Sequence, residues 1–328
     1  DKGSEKQAWY ECDRCKQKIT NAHKQSIIRQ GQWVAVGEFN GIAGFHINEL
    51  YSPWRTFGDV VESFLVAKND SERLMVWVNT SLGETFDREG GEGLEWEQLA
   101  ARAEPYKLCT VPPGGKLLTA GVDVQGDRLS LAIWAWGRGE EAWLVFTIEL
   151  YGDPTESAVW EELDTVLLAD YSDLKVSAVC IDSGFKPQEV YNFVRQRPGR
   201  KLMAIKGMSS PGKPIIGKPT PQEITHRGKN YLKGIKLFPV GTDTAKSLIY
   251  GRLRLKNKGE GYIHTYSGLE DEFYQQLCAE KLVTKYVKGY PKLEWIKTRT
   301  RNEALDTLIY AYAAAIALGM ARINWDKL

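Results

Sequence analysis

Three aspartates stand where an acid is locally out of place. Asp123 closes the apolar run 117–122 and precedes Val124; Asp182 closes the run 176–181 and precedes Ser183 and Gly184. Asp306 opens a stretch, 307–320, that holds no further charge. A carboxylate in such surroundings is costly unless it is paired or bound to a metal. Taken singly, each reads as a cap, a turn acid or half of a structural ion pair. Taken together, three hard oxygen ligands suit Mg2+ or Mn2+ better than zinc. The chemistry expected of them is phosphodiester hydrolysis with two ions ~3.5–4 Å apart, one activating water and the other stabilising the leaving 3′ oxygen.

Other residues belong to the same argument with competing structural duties. Glu303 lies three residues before Asp306 on one helical face, so it can reach the same metals or serve the helix dipole in its first turn. Asp127, four residues after Asp123, reads as a turn residue. Between residues 195 and 236 lie Arg197, Arg200, Lys201, Lys206, Lys213, Lys218, Arg227, Lys229 and Lys233 against the single acid Glu223. We expect Lys206, Lys213, Lys218, Arg227 and Lys229 to meet DNA phosphates, with a solvated basic face as the alternative.

Other motifs carry less. The segment 207–214 nearly matches a phosphate-binding loop, but Pro214 replaces the hydroxyl that would ligate magnesium, and no helical pattern follows. No ATPase activity is expected. Cys12 and Cys15 have the spacing of half a zinc site; His23 is a candidate third ligand, and a second pair is absent. His46, His226 and His264 lack the context of a nucleophilic triad. Trp134, Trp136, Trp143 and Trp160 read as packing residues.

The elements that must position the acids follow from periodicity. Strands are predicted over 117–123, Arg128–Trp136 and 142–150, with short connections that favour an antiparallel meander. A helix over 156–169, a strand over Val176–Asp182, a helix over 187–196 and a strand over 202–206 come next. Three strands, helix, strand, helix, strand is the order of an RNase H-like α/β fold, a mixed sheet flanked by helices. A long loop is expected over 207–230, then a strand over 231–238, a helix near 244–253, a hairpin over 282–296 and a final helix over 302–320. Helical signal also marks 56–68 and 96–102. The Pro/Gly punctuation of 104–116 places the domain boundary, giving an N-terminal region 1–113 and a catalytic domain 114–328.

Composition excludes whole classes. The hydrophobic fraction of 43% and charged fraction of 26% are those of a globular protein, not a disordered one. No apolar run is long enough for a membrane span, and five scattered cysteines do not make a disulfide framework. A soluble protein of a reducing compartment is expected. The net charge of +1 decides nothing about nucleic acid, because binding depends on local concentration of charge. The polar start at Asp1, without an initiating Met, leads us to expect a piece of a longer product.

Six segments in order then resemble one family: Thr119-Ala-Gly-Val-Asp-Val-Gln-Gly-Asp-Arg128, Trp134-Ala-Trp-Gly137, Cys180-Ile-Asp-Ser-Gly184, Ile205-Lys-Gly207, Gly241-Thr-Asp-Thr-Ala-Lys246 and Arg301-Asn-Glu-Ala-Leu-Asp306. Upstream, Phe45-His-Ile47, Tyr51-Ser-Pro53 and residues 78–85 are similar to the region that joins a motor to a nuclease. The chain resembles the C-terminal portion of lambda-type phage terminase large subunits. The resemblance implies an endonuclease that cuts concatemeric double-stranded viral DNA in the host cytoplasm, with Asp123, Asp182 and Asp306 as metal ligands and Glu303 carried over less securely. It also implies a small subunit and a portal or procapsid as partners, an absent upstream ATPase, and a further cysteine pair upstream of Cys12 and Cys15. Alternatives are another RNase H-like enzyme, such as a resolvase or transposase core, or a catalytically silent docking module.

Overall fold

The computed structural model describes residues 7–35, 37, 39, 41–68, 70–84, 86, 94–226, 229–287 and 290–328. Two compact units divide the chain, Asp1–Glu89 and Gly90–Leu328. The Pro/Gly segment expected to be a linker therefore lies inside the second unit. It turns against the sheet rather than leaving it: Leu99 is buried, Tyr106 Oη donates to Leu144 O at 2.9 Å, and Cys109 N donates to Val145 O at 2.9 Å.

The first unit contains a two-stranded ribbon, β1 (Tyr10–Glu11) and β2 (Lys18–Ile19), and helices α1 (Asn21–Arg29), α2 (Phe57–Ala67) and α3 (Ser71–Trp77). Helix α2 starts at a reciprocal capping box formed by Thr56 and Asp59.

The second unit begins with α4 (Trp96–Ala100) and continues with the meander β3 (Leu117–Val124), β4 (Arg128–Trp136) and β5 (Ala142–Tyr151). Then come α5 (Ser157–Leu168), β6 (Val176–Asp182), α6 (Pro187–Arg195), β7 (Leu202–Met208), β8 (Thr220–His226), β9 (Lys229–Gly241) and α7 (Thr242–Leu253). The chain ends with β10 (Ile263–His264), α8 (Asp271–Leu277), the hairpin β11 (Glu280–Val287) and β12 (Tyr290–Lys297), and α9 (Glu303–Ala317). One sheet of eight strands runs in the order β10-β5-β4-β3-β6-β7-β9-β8. Its centre, β5-β4-β3-β6-β7, is antiparallel through the meander and parallel from β3 onward, which is the RNase H-like arrangement expected. The loop predicted over 207–230 is corrected in part: it holds β8, whose Pro221 lies in an edge strand, the one place in a sheet where a missing N–H is tolerated.

Alternation along the strands divides the core in two. Leu118, Ala120, Val122, Leu129, Leu131, Val179 and Ile181 face a layer containing α5 and α6, whereas Ala132, Trp134, Trp136, Ala178 and Cys180 face α7, α8 and α9. The four predicted packing tryptophans are all buried. Because side chains alternate, Asp123 two residues after Gly121 and Asp182 two after Cys180 both point to the α9 side. Among the described residues no helix is long and apolar enough to cross a membrane.

Candidate active site

The site forms at one end of the sheet, where β3 and β6 finish side by side. Parallel register pairs Gly121 with Cys180 and Val122 with Ile181, so the next residue on each strand is an aspartate, Asp123 and Asp182. Helix α9 crosses over both. It lies unusually close because Gly121 has no side chain: a β-carbon there would stand 2.0 Å from Thr307 O and 2.7 Å from Ala311 N. Thr119 Oγ1 donates to Ala311 O at 2.7 Å and accepts from Trp136 Nε1 at 2.7 Å, tying helix to sheet. This contact brings Asp306, in the first turn of α9, over the strand-borne acids.

The charge of Asp123 links the other two carboxyls. Burial first, and then the Asp182 carboxylate, raise the Asp123 pKa to about 6. Burial, followed by the charge of Asp123, raises Asp306 to about 7. Asp182 is also raised by burial, offset by amide hydrogen bonds from Gly184 and Ser183 and by the charge of Lys206. All three acids act on one further group, the buried phenol of Tyr310, four residues beyond Asp306, whose pKa lies far above the ordinary value.

Each carboxyl has a fixed polar neighbour. Gln125 Nε2 donates to Asp123 Oδ2; Gly184 N donates to Asp182 Oδ2 at 3.0 Å; Asn302 Nδ2 donates to Asp306 Oδ2 at 2.8 Å. Behind Asp306 the buried Glu280 accepts from Asn302 Nδ2 at 2.9 Å and from Lys246 Nζ at 2.7 Å, and Lys297 Nζ donates to Asn302 Oδ1 at 2.7 Å. As these side chains stand, no group of three or more His, Cys, Asp or Glu among the described residues is arranged to hold a metal ion. The donor chemistry nevertheless fits one: a buried carboxyl, Asp123, and two partly buried ones, Asp182 and Asp306, all held above the ordinary carboxylate range by burial, need either protons or a cation.

Glu303 is placed differently. It is buried beside the aspartates, yet Oε1 accepts from Arg128 Nη2 at 3.0 Å and Oε2 from Arg301 Nε at 3.2 Å. Both arginines also pair with Glu149. Next to this network lies a groove of about 480 Å³ whose lining includes Ser130, Glu149, Arg301, Glu303 and Thr307. Asp127 is a turn residue, exposed and paired with Arg128 at 2.8 Å.

Of the basic residues, Lys206, Lys213 and Lys218 are exposed. Arg227 lies outside the described residues, and of Lys229 only the backbone, at the start of β9, is described. Arg197 and Arg200 are not free for phosphate: both pair with Asp164. No helix follows the 207–214 segment, whose chain turns at Ser210 and leads to β8. In the first unit Cys12 and Cys15 flank the turn between β1 and β2, and amides of Cys15 and Arg14 hold the Cys12 thiol below its usual pKa. His23 Nδ1 stands 3.4 Å from Thr20 Oγ1.

Sequence reasoning missed Tyr310, Asn302, Glu280 and Lys297. The i, i+4 spacing of Asn302 and Tyr310 about Asp306 was a usable signal for two of them. Nothing in the sequence pointed to Glu280, which arrives from a separate hairpin.

Comparison with known proteins places the chain in a family. The chain is 36% identical over 296 residues to the terminase large subunit of Escherichia phage lambda, covering 86% of this chain and 44% of that one. It is likewise 36% identical over 284 residues to the terminase large subunit of Enterobacteria phage P21, covering 82% and 43%. It therefore spans less than half the length of these relatives. Among solved structures, the manganese-bound nuclease domain of g2p, the large terminase of bacteriophage SPP1, is similar at a TM-score of 0.34 and 11% identity, over 65% of this chain and 96% of that one. Residues 42–325 match the family model of the terminase large subunit gpA endonuclease domain, and to that family the chain belongs.

Proposed function

We propose that the second unit hydrolyses phosphodiester bonds of double-stranded DNA at Asp123, Asp182 and Asp306 with Mg2+ or Mn2+. The observation that carries this reading is the delivery of three aspartates to one end of the sheet by two adjacent parallel strands and a helix packed backbone to backbone across them, with Asp123 buried and Asp182 and Asp306 partly buried. When bound, a divalent cation supplies the charge that polarises the phosphodiester and makes water a competent nucleophile at neutral pH.

The chain's own residues do the rest. Asp123, Asp182 and Asp306 provide the anionic oxygens; Gln125, Gly184 and Asn302 orient them. Glu280 and Lys297 hold Asn302 in place, and Lys246 pairs with Glu280. Glu303 neutralises Arg128 and Arg301, and with both oxygens occupied it serves as a charge partner that keeps the groove wall fixed. Lys206, Lys213 and Lys218, with Arg227 and Lys229, meet backbone phosphates. In the packaging context implied by the family, the substrate is concatemeric viral DNA and the partners are a small subunit and a portal-bearing procapsid. Cys12 and Cys15 offer half of a zinc site, and no further ligand joins them among the described residues.

Titrating Mn2+ and Mg2+ into a supercoiled-plasmid nicking assay tests the reading. Metal-dependent nicks that vanish in Asp182→Asn support it; no cutting at any metal concentration would leave the silent docking module as the better account. Preference for branched over linear DNA would favour a resolvase.

A further inference from the structure

The corner that follows Asp182 presents an aromatic ring to solvent. Ser183 is anchored to the neighbouring strand twice, its N and Oγ both donating to Ile205 O at 2.9 and 2.7 Å. Gly184 N is committed to Asp182. Lys186 then adopts a left-handed backbone, φ 48°, directly before Pro187 at the first turn of α6. A non-glycine residue in that conformation is strained, and surrounding structure must hold it there. Between these fixed points sits Phe185, 42% exposed. Its ring tip would stand 4.0 Å from a β-carbon at Gly126, in the loop that follows Asp123. Having no side chain, Gly126 leaves the ring uncovered. Lys186 Nζ lies 5.8 Å from the ring centroid.

A rigid corner is thus used to expose a large apolar face at the rim of the three aspartates, between the loops that carry two of them. Val190, Tyr191 and Phe193, a few residues on, are all buried, so α6 has its own core contacts and does not need this ring. We propose that Phe185 is a stacking platform for an unpaired base of the DNA strand beside the cleaved phosphodiester, with Lys186 meeting the adjoining phosphate. The inference rests on the reading of this site as a DNA nuclease and specifies how the strand is gripped: every base has a π-face, so such a contact is tolerant of sequence.

The test is binding of the whole chain, in EDTA, to a duplex with a central unpaired thymine bubble, followed by fluorescence anisotropy at several salt concentrations. Phe185→Ala should weaken binding about tenfold, near the low end of what one base stacked on an aromatic ring contributes. Phe185→Tyr should restore it, and Phe185→Leu should not. Because stacking releases no counterions, the salt slope should be unchanged, whereas Lys186→Ala should lower it by roughly one. On a bubble whose unpaired positions are abasic, wild type and Phe185→Ala should bind alike. Equal binding of the two proteins to the base-bearing bubble, or a loss that persists on the abasic one, overturns the proposal. Circular dichroism confirms that each variant is folded. Failure of the wild type to nick DNA in Mn2+ would refute the nuclease reading alone, since the comparison of bases is read without cutting.

Discussion

The carbonyl oxygen of Thr307 fills the space that a side chain on Gly121 would need, 2.0 Å from the ideal β-carbon position. Backbone therefore meets backbone where α9 crosses β3, and the separation of Asp306 from Asp123 is set by that contact. Gly121→Ala must push the helix away. We expect a loss of about 1–3 kcal/mol, as for other overpacked cores, together with a fall in nicking. Urea unfolding measures the first, and an unchanged midpoint would mean that the helix can yield freely.

Replacing one acid separates charge from structure. Asp182→Asn and Asp306→Asn should fold normally and lose at least ~100-fold in cutting, because each removes an anionic ligand. In EDTA, Asp306→Asn should melt at a higher temperature than wild type, since it removes a buried charge that Asp123 repels. Wild-type nicking by either folded variant would reject the ligand assignment.

The same repulsion predicts a pH dependence. Folded-state pKa values of about 6 for Asp123 and about 7 for Asp306 stand above the ordinary 3.8, so the native state binds these protons more tightly than the unfolded chain. Their stabilising contribution is full below pH 3.8 and is lost as pH rises through 6 to 7, by on the order of a few kcal/mol in total. In EDTA the urea midpoint should fall across that window, and Asp306→Asn should flatten it. Cutting should run the other way, increasing as the carboxyls ionise. A midpoint flat between pH 5 and 8 would show the acids to be uncoupled.

Glu303 answers to a different test. Glu303→Gln leaves Arg128 and Arg301 short of a buried counter-charge, and should cost about 1–3 kcal/mol, less than a fully isolated buried pair because Glu149 remains. Glu303 bonds Arg128 and Arg301 rather than the groups that orient the aspartates, so the Mn2+ concentration for half-maximal nicking should stay within about twofold, below the ~10–100-fold expected on losing an orienting partner of a ligand. A rise of about tenfold or more would place Glu303 in the metal site, as a ligand or as a group that orients one.

DNA binding should weaken steeply with salt. Each of Lys206→Ala, Lys213→Ala and Lys218→Ala should reduce the slope of log K against log salt by about 0.9 if its ammonium meets a duplex phosphate. Filter binding between 50 and 200 mM salt is the measurement, conditions chosen to span the steep range. A slope unaffected by all three would return these lysines to the role of a solvated face.

Local sequence determined much of this protein because the signals involved are short-ranged. Alternation fixed β3, β4 and β6 to within a residue at each end, and the acids that break apolar runs at 123, 182 and 306 marked the strand ends and helix start where a site can open. Helical signal over 56–68 marked α2, which the structure starts with a capping box at Thr56. Edge strand β8 was hidden because Pro221 and the surrounding Gly, Pro and Lys residues read as loop, and only pairing with β9 makes the segment extended. The chain could not announce that residues 94–113 belong to the second unit, since punctuation marks a change of direction without saying whether the next element returns to the same core.

Tertiary structure alone decided what each acid faces. Burial beside Asp123 gave Asp306 its raised pKa, while Arg128, from a distant strand, together with the neighbouring Arg301, paired with Glu303, which by spacing was its equal. Spacing says which side chains share a helical face; which charges reach each of them, such as Arg128 from strand β4, depends on how distant segments pack.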